Sequence, residues 1–226
     1  MEIQKTPILI GCSGAAVVRL EDAEGRVWIE KSGEVEQEGA VLAWCQGRLP
    51  VPQILSCEPG LLRMSVVPGV DLTELPWQTS VAVLVEALEQ IHALPVAGCP
   101  FSASWELRLR EAEERLAAGL VDDCSPEVAA AILKELHALP PLPDVVCFTH
   151  GDACLPNFLA AEGRLSGMVD LGRAGLTHPA QDWALALRSV RSDFGLEAEE
   201  MLLAHVPAHC RDEQLLYRFR MLDELF

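Results

Sequence analysis

The sequence predicts an α+β fold with two lobes, a small β-rich amino-terminal lobe and a larger, mainly helical carboxy-terminal lobe. Residues 1–67 consist of short apolar runs separated by turn residues, whereas residues 68–226 contain longer stretches with apolar residues at helical spacing. The chain has 226 residues, 50% of them hydrophobic, which suits one large domain or two small ones with packed cores. We therefore predict domains over residues 1–67 and 68–226.

The amino-terminal lobe is predicted to contain strands joined by tight turns. Short apolar runs indicate its strands, and Glu58-Pro59-Gly60 indicates the turn between the last two. The predicted strands cover residues 7–11, 15–20, 27–31, 51–57 and 61–67. Residues 34–46 place apolar side chains at helical spacing, so we predict one helix there.

The carboxy-terminal lobe is predicted to be mainly helical. In the first helix Val83, Leu84, Ala87, Leu88 and Ile91 share one face, and a proline ends it. The predicted helices cover residues 79–94, 105–120, 126–139, 178–190, 198–204 and 212–225. Two short apolar runs, residues 145–149 and 165–169, predict strands whose ends carry polar motifs.

These two polar motifs carry the chemistry. After the first predicted strand, Asp152 follows His150 by two residues and Asn157 follows Asp152 by five; after the second comes Asp170-Leu171-Gly172. This spacing is typical of the protein-kinase catalytic loop and its metal-binding Asp-x-Gly turn. Phosphoryl transfer needs one carboxylate to position the attacking hydroxyl, and an Asn and a second carboxylate to hold magnesium. The motifs therefore predict a phosphotransferase.

Five stretches together resemble the aminoglycoside 3'-phosphotransferase family. They are HGDACLPN (150–157), GRLSG (163–167), DLGR (170–173), QDWALA (181–186) and the final LDELF (222–226). The resemblance runs from about residue 11 to residue 226. It implies a protein-kinase-like bilobal fold, with a nucleotide-binding first lobe that ends in a hinge and a catalytic, substrate-binding second lobe. It also implies transfer of the ATP γ-phosphate to an aminoglycoside hydroxyl, the 3'-hydroxyl, which gives antibiotic resistance.

The resemblance also assigns the catalytic and metal-binding groups. Asp152 would orient the sugar hydroxyl, while Asn157 and Asp170 would hold two Mg²⁺ ions. Arg173 would anchor the loop or face phosphate, and Asp182 would tie its helix to the catalytic loop.

The nucleotide-binding groups lie in the first lobe. Lys31 ends a predicted strand and would contact the α- and β-phosphates of ATP, with Glu38 as its partner. Glu34 and Glu36 are the competing partners. The turn at Ser13 would cover the phosphates, although its sequence also fits an ordinary hairpin. The hinge that binds adenine would use the backbone of Ser65 and Val67.

A polycationic drug needs acidic partners, and the resemblance places them in three regions. The first set is Asp223, Glu224 and the terminal carboxylate of Phe226. The second is Asp122, Asp123 and Glu127, which could instead be a helix cap and solvated first-turn charges. Arg188 and Asp193 match a region that shapes the pocket in the family.

Composition restricts the partners. The chain has 34 acidic and 17 basic residues, a net charge of −17, which argues against nucleic acid and suits a cationic substrate, although the acidity could also serve solubility alone. The 8 cysteines form no C-x-x-C pair, so a zinc site is not predicted. Cys154 is interpreted as a packing residue rather than a nucleophile. With no signal peptide or membrane span in the sequence, we predict a cytoplasmic monomer or weak dimer with reduced thiols.

Three alternatives remain open from the sequence. The first is a kinase of a choline-like molecule or a sugar, against which the intact Leu-Asp-Glu-Leu-Phe end argues. The second is a kinase of a macrolide or of another antibiotic. The third is an inactive nucleotide-binding module, which should lack a catalytic Lys, Asp or Asn, and none is missing. Relative to the family, the chain is expected to lack a leading segment and to have a short nucleotide lobe.

Overall fold

The amino-terminal lobe of the computed structural model is an antiparallel sheet of five strands in the order β1-β2-β3-β5-β4. The structure describes residues 3–8, 16–121 and 124–226. The strands are β1 (Gln4–Ile8), β2 (Ala16–Glu21), β3 (Val27–Ser32), β4 (Ile54–Glu58) and β5 (Leu61–Ser65). In β5 alternate residues point inward, with Leu62 and Met64 buried, as the period of two in a strand requires.

One helix, α1 (Glu36–Cys45), packs on this sheet beside β4 and β5. Val41, Leu42 and Cys45 form its buried apolar face. Gly39 allows the close approach, because a Cβ atom there would lie 2.6 Å from the sulfur of Cys57 on β4. The helix therefore lies tightly against the strands that precede the second lobe.

The second lobe is built on six helices among the residues that the structure describes. They are α2 (Trp77–His92), α3 (Trp105–Ala118), α4 (Pro126–His137), α5 (Ala180–Phe194), α6 (Leu196–His205) and α7 (Glu213–Asp223). Ser104 and Ser125 cap α3 and α4 by accepting backbone N–H bonds, and Asp212 does the same for α7. Almost every side chain of α5 as far as Val190 is buried, so this helix forms the centre of the lobe.

Two small antiparallel sheets hold the loops that carry the polar motifs, near the junction of the lobes. One pairs β7 (Cys147–Thr149) with β10 (Gly175–Thr177); the other has the order β6-β8-β9, with β6 (Val70–Asp71), β8 (Phe158–Ala161) and β9 (Arg164–Met168). The chain leaves β7 directly into His150 and leaves β9 just before Asp170. Both polar motifs therefore follow strand ends, as the sequence predicts.

The predicted fold class is confirmed, and most predicted helices and strands lie within a few residues of their observed bounds. The first strand begins earlier than predicted, at Gln4, and α1 begins later, at Glu36, because Val35 serves as its buried amino-terminal cap position. Strands β6, β8 and β10 did not appear in the sequence analysis. Within the described ranges, no helix has the length and apolar character needed to cross a membrane.

Candidate active site

One buried carboxylate holds the backbone of the catalytic loop. Asp182 on α5 has no solvent exposure, and its two oxygens accept the backbone N–H groups of His150, at 2.8 Å, and Gly151, at 2.9 Å. His92, at the end of α2, lies 3.0 Å from the same carboxylate through Nε2. The predicted tie between this helix and the catalytic loop is therefore present, and His92 adds a third partner to it.

His150 links the two motifs to each other. Its Nδ1 accepts the backbone N–H of Asp152 at 3.3 Å, and its Nε2 donates to the carbonyl of Val169 at 3.0 Å. Both bonds are satisfied by the neutral ring with its proton on Nε2. Since Val169 precedes Asp170, the imidazole is one contact between the loop of Asp152 and the turn of Asp170.

Asp152 and Asn157 are in direct contact. The amide nitrogen of Asn157 donates to the Oδ2 of Asp152 at 3.0 Å and to its backbone carbonyl at 2.9 Å. The backbone carbonyl of Asn157 accepts the N–H of Val169 at 2.9 Å. Because the amide nitrogen is used twice, the amide oxygen is the atom left to bind a cation.

Lys31 lies between the lobes and contacts two carboxylates. Its ammonium is 2.7 Å from Glu38 of α1 and 2.7 Å from Asp170, and only 7% of the residue is exposed. Burial alone would lower the pKa of Lys31, but the charges of Asp170 and Glu38 outweigh it and raise the pKa overall. The lysine is therefore held as a cation.

Among the three candidate partners of this lysine, the structure selects Glu38. Glu36 instead accepts the backbone N–H of Gly60 at 2.9 Å, and Glu34 is exposed. The other carboxylate, Asp170, has a φ of 60°, an unusual backbone conformation for a residue with a side chain. Such strain is typical of residues that a surrounding structure holds for a functional reason.

The donor atoms near this pair fit magnesium. Mg²⁺ is usually held by one or two protein oxygens together with substrate phosphates and water, and Asp170 and Asn157 offer a carboxylate and an amide oxygen. Within the described ranges, no group of 3 or more His, Cys, Asp or Glu could hold a metal by itself.

The end of the chain carries a network of arginines and acids. Asp223 accepts from Arg173 at 2.6 Å and from Arg188, which also donates to Glu224 at 3.0 Å. The side chain of Asp223 is 9% exposed and that of Glu224 is 40% exposed. Glu224 is therefore the more accessible of the two acids predicted to bind substrate.

Arg173 connects this network to the catalytic loop. Burial alone would lower the pKa of Arg173, but Asp223 and Asp152 act on the same guanidinium and raise the pKa overall. Its guanidinium also lies over the ring of Phe226, 4.7 Å from the centroid. The carbonyl oxygen of Phe226 accepts from Arg115 at 2.6 Å. Of the predicted substrate groups, the structure thus brings Arg188, Asp223, Glu224 and Phe226 together.

The other predicted substrate residues that the structure describes lie in two places, the first turn of α4 and the last turn of α5. Glu127 is exposed in the first turn of α4, where it accepts from Ser125 at 2.9 Å. Cys124 approaches the backbone carbonyl of Glu224 at 4.0 Å, so this segment borders the chain end. Asp122 and Asp123 fall outside the described residues, as does Ser13.

Asp193 is exposed in the last turn of α5, and its carboxylate accepts from the hydroxyl of Ser189 at 3.3 Å. The same hydroxyl accepts the backbone N–H of Leu155 at 3.0 Å, so Asp193 is linked to the catalytic loop through one side chain.

The predicted hinge packs against β9. The backbone N–H of Ser65 donates to Gln53 at 2.8 Å, so it is engaged within the first lobe. Val67 lies against Gly167, where an added Cβ atom would be 2.6 Å from its Cγ1 atom. Ser166 donates to the carbonyl of Pro68 at 2.5 Å. These contacts join the segment after β5 to β9 of the second lobe.

Sequence reasoning missed three residues of this site, namely Arg108, Arg115 and His92 as a partner. Arg108 and Arg115 are seven residues apart on α3 and share one face of it, which was the only indication available. Their partners within the site, Arg173 and Phe226, lie more than sixty positions away along the chain, so no local pattern identifies these contacts.

Comparison with known proteins agrees with this geometry. The model of the phosphotransferase enzyme family matches residues 9–213. The aminoglycoside 3'-phosphotransferase of Niallia circulans is 34% identical, over 96% of this chain and 90% of that protein. One from Escherichia coli is 30% identical, over 96% of this chain and 88% of that protein.

Solved structures give the same result. The crystal structure of an aminoglycoside-3'-phosphotransferase of type VIII superposes with a TM-score of 0.83 at 27% identity, over 98% of this chain and 94% of that chain. A macrolide 2'-phosphotransferase type I shares the fold at a TM-score of 0.62 and 20% identity, over 98% of this chain and 82% of that chain. This chain therefore belongs to the phosphotransferase enzyme family and, within it, to the aminoglycoside 3'-phosphotransferase family.

Proposed function

We propose that this enzyme transfers the γ-phosphate of ATP to the 3'-hydroxyl of an aminoglycoside and so confers resistance to that antibiotic. The observation that carries the proposal is the constellation of Asp152, Asn157, Asp170 and Lys31 at the junction of the lobes, bordered by an acidic chain end. The names and similarity of the relatives support the same substrate class.

In this proposal Asp152 accepts a hydrogen bond from the attacking hydroxyl and aims it at the γ-phosphate. The contact with Asn157 fixes the carboxylate, so its free oxygen lies in a defined direction. Phosphoryl transfer passes through a loose transition state, which gains more from positioning and charge neutralisation than from a strong base. Asp152 therefore acts by positioning the hydroxyl rather than as a strong base.

Lys31 binds the nucleotide phosphates, and Glu38 holds the lysine in place. Asn157 and Asp170 would hold magnesium, which would neutralise phosphate charge. Lys31 contacts Asp170, so the ammonium that would bind phosphate lies beside the carboxylate that would hold magnesium. The backbone of the hinge would bind the adenine at Ser65 and Val67, with the N–H of Ser65 remaining engaged by Gln53, and the turn at Ser13 would cover the phosphates.

The drug would bind at the acidic margin of the cleft. Its ammonium groups would pair with Glu224, Asp193 and Glu127, which are exposed, while Asp223 holds Arg173 and Arg188 in position. Asp122, Asp123 and the carboxylate of Phe226 would extend this surface. We also propose that the enzyme works in the cytoplasm, where ATP is present, as a monomer or weak dimer.

A matched pair of substrates tests this function. ADP release by the purified protein should be rapid with kanamycin B and absent with its 3'-deoxy derivative, which lacks only the hydroxyl in question. Choline and a macrolide serve as acceptors for the alternative functions. Asp152→Asn should keep the fold and lose turnover by about two or more orders of magnitude, because a positioning group is lost.

Equal turnover of the 3'-deoxy derivative would overturn the assignment of the hydroxyl. Turnover of choline or the macrolide alone would overturn the substrate class. Near-native activity of Asp152→Asn would remove the catalytic loop from the mechanism.

A further inference from the structure

Arg108 is a buried cation with an unusual set of contacts. It lies on α3 with 7% of its surface exposed. One guanidinium nitrogen donates to Glu111 at 2.6 Å, and the other donates to the backbone carbonyl of Arg173. Arg108 therefore reaches from a peripheral helix to the loop that begins with Asp170.

The carbonyl that Arg108 holds also touches the catalytic loop. Gly151 precedes Asp152 and has a φ of 86°, and a Cβ atom there would overlap the carbonyl oxygen of Arg173. The two backbones are therefore packed at the closest distance that glycine permits. A shift of the Arg173 carbonyl would move the residue next to Asp152 on one side and the Asp170 turn on the other.

Burying the guanidinium of Arg108 costs desolvation free energy, which a functional role would compensate. Burial lowers the pKa of Arg108, and Arg173 lowers it further, while Glu111 opposes both. The Nε of Arg108 is buried and has no hydrogen-bond partner in the described part of the chain. The guanidiniums of Arg108 and Arg173 both lie near the ring of Phe226, at 5.9 Å and 4.7 Å from its centroid. An apolar side chain would fill this position on α3 at a lower cost in desolvation.

We propose that Arg108 is a positioning residue for phosphoryl transfer: by holding the Arg173 carbonyl against Gly151, it fixes the distance between Asp152 and the Asp170 turn. The inference rests on the proposed function, because the carboxylates of Asp152 and Asp170 both take part in the phosphoryl transfer proposed there. It assigns a role in turnover to a side chain of α3 that contacts the backbone of Arg173 rather than the substrate.

Three variants test the role. Arg108→Met removes the donors and keeps the length of the side chain, Arg108→Lys keeps the charge and one donor, and Arg110→Met is a control at an exposed position of the same helix. In Arg108→Met, kcat with kanamycin B should fall about 10- to 100-fold, as for a small misplacement of reacting groups. The KM for ATP should change by less than about 3-fold, because the contact between Lys31 and Glu38 is untouched. Arg108→Lys should recover part of the loss, and Arg110→Met should show none.

Amide hydrogen exchange gives a reading that needs no substrate. Peptides covering Gly151 and Arg173 should exchange faster in Arg108→Met, while the peptides of α2 should not change. A purely structural arginine would lower the midpoint of urea unfolding but leave kcat native in the folded protein at low temperature, and that result would overturn the proposal. So would unchanged exchange at Gly151. If wild-type protein phosphorylated no aminoglycoside, the proposed function would fail, whereas the exchange result would still test Arg108.

Discussion

His178 shows how one buried side chain can set the acid stability of the protein. It lies just before α5 with 2% of its surface exposed, and its Nδ1 accepts the backbone N–H of Ala180 at 3.1 Å. Burial lowers its pKa from 6.5 to about 4, with His209 and Arg218 acting in the same direction. A proton on Nδ1 would also remove this hydrogen bond. The neutral ring is therefore the form that the fold requires.

This gives a pH dependence of defined sign. The unfolded chain binds a proton at His178 below a pH of 6.5, whereas the folded protein resists it to about 4. The contribution of the neutral His178 ring to the free energy of unfolding is therefore complete above pH 6.5. It is lost as the pH falls towards 4, by at most about 3 kcal/mol. His178→Asn keeps an acceptor for Ala180 and cannot be protonated, so urea unfolding between pH 7 and 4.5 should show a flatter loss of free energy. The same slope in both proteins would contradict this role.

At the same scale, pairings between residues explain what the sequence could not settle. Asp152, Asn157 and Asp170 stand at fixed spacings, so the motif alone predicts their roles. The choice of Glu38 over Glu34 and Glu36 as the partner of Lys31 depends on the face of α1 that meets β3. The local sequence pattern does not determine that face. Likewise, the pairing of Asp223 and Glu224 with Arg173 and Arg188 joins residues 35 to 50 positions apart.

At the scale of elements, α7 positions the acidic end of the chain. Leu215, Leu216, Phe219 and Leu222 are buried on one face of the helix, so the residues that follow it have a fixed place. Arg188 of α5 then sets the carboxylates of Asp223 and Glu224. An end that is held in this way can contribute to a binding site instead of fraying.

We expect Glu224→Ala to raise the KM for kanamycin B about ten-fold or more, the loss of one charged hydrogen bond, and to change the KM for ATP much less. Higher salt should raise the drug KM in the same direction, because the side chain is 40% exposed and therefore screened. Glu213→Ala, in the first turn of the same helix, is the control. Equal and small effects on both substrates would remove this end of the chain from the binding site.

Long elements were predictable and short ones were not. Helices α2, α3 and α4 extend over three or more turns with a clear apolar stripe, and serine caps begin α3 and α4, so their periodicity is readable. Strands β6 and β10 have 2 and 3 residues, too few to show a period. They exist because the polar loops around them need backbone partners, which is a property of the tertiary structure.

At the scale of the whole molecule, the two lobes share one hydrophobic core. Buried residues of the first lobe, such as Leu42 and Leu62, belong to the same cluster as Leu84 and Phe148 of the second. Trp44 of α1 is part of the junction, with its ring 4.8 Å from that of Phe148. The lobes are therefore expected to unfold together.

A single urea transition should be seen by both far-ultraviolet circular dichroism and tryptophan fluorescence. Trp44→Ala should lower the free energy of unfolding by about 3 kcal/mol, since it removes a large aromatic contact between the lobes. Trp28→Ala, on β3 of the amino-terminal sheet, is a comparison of equal size. Two separate transitions in the wild-type protein would contradict the shared core.

The confinement of Lys31 has a practical consequence for handling the protein. Amine-reactive dyes and biotin esters attack only the uncharged amine, and Asp170 and Glu38 keep this one protonated and covered. The chain carries its other lysines at positions 5 and 134, both exposed. Conjugation through amines should therefore attach a label or a bead to the outer surface and leave the ammonium of the nucleotide cleft unmodified.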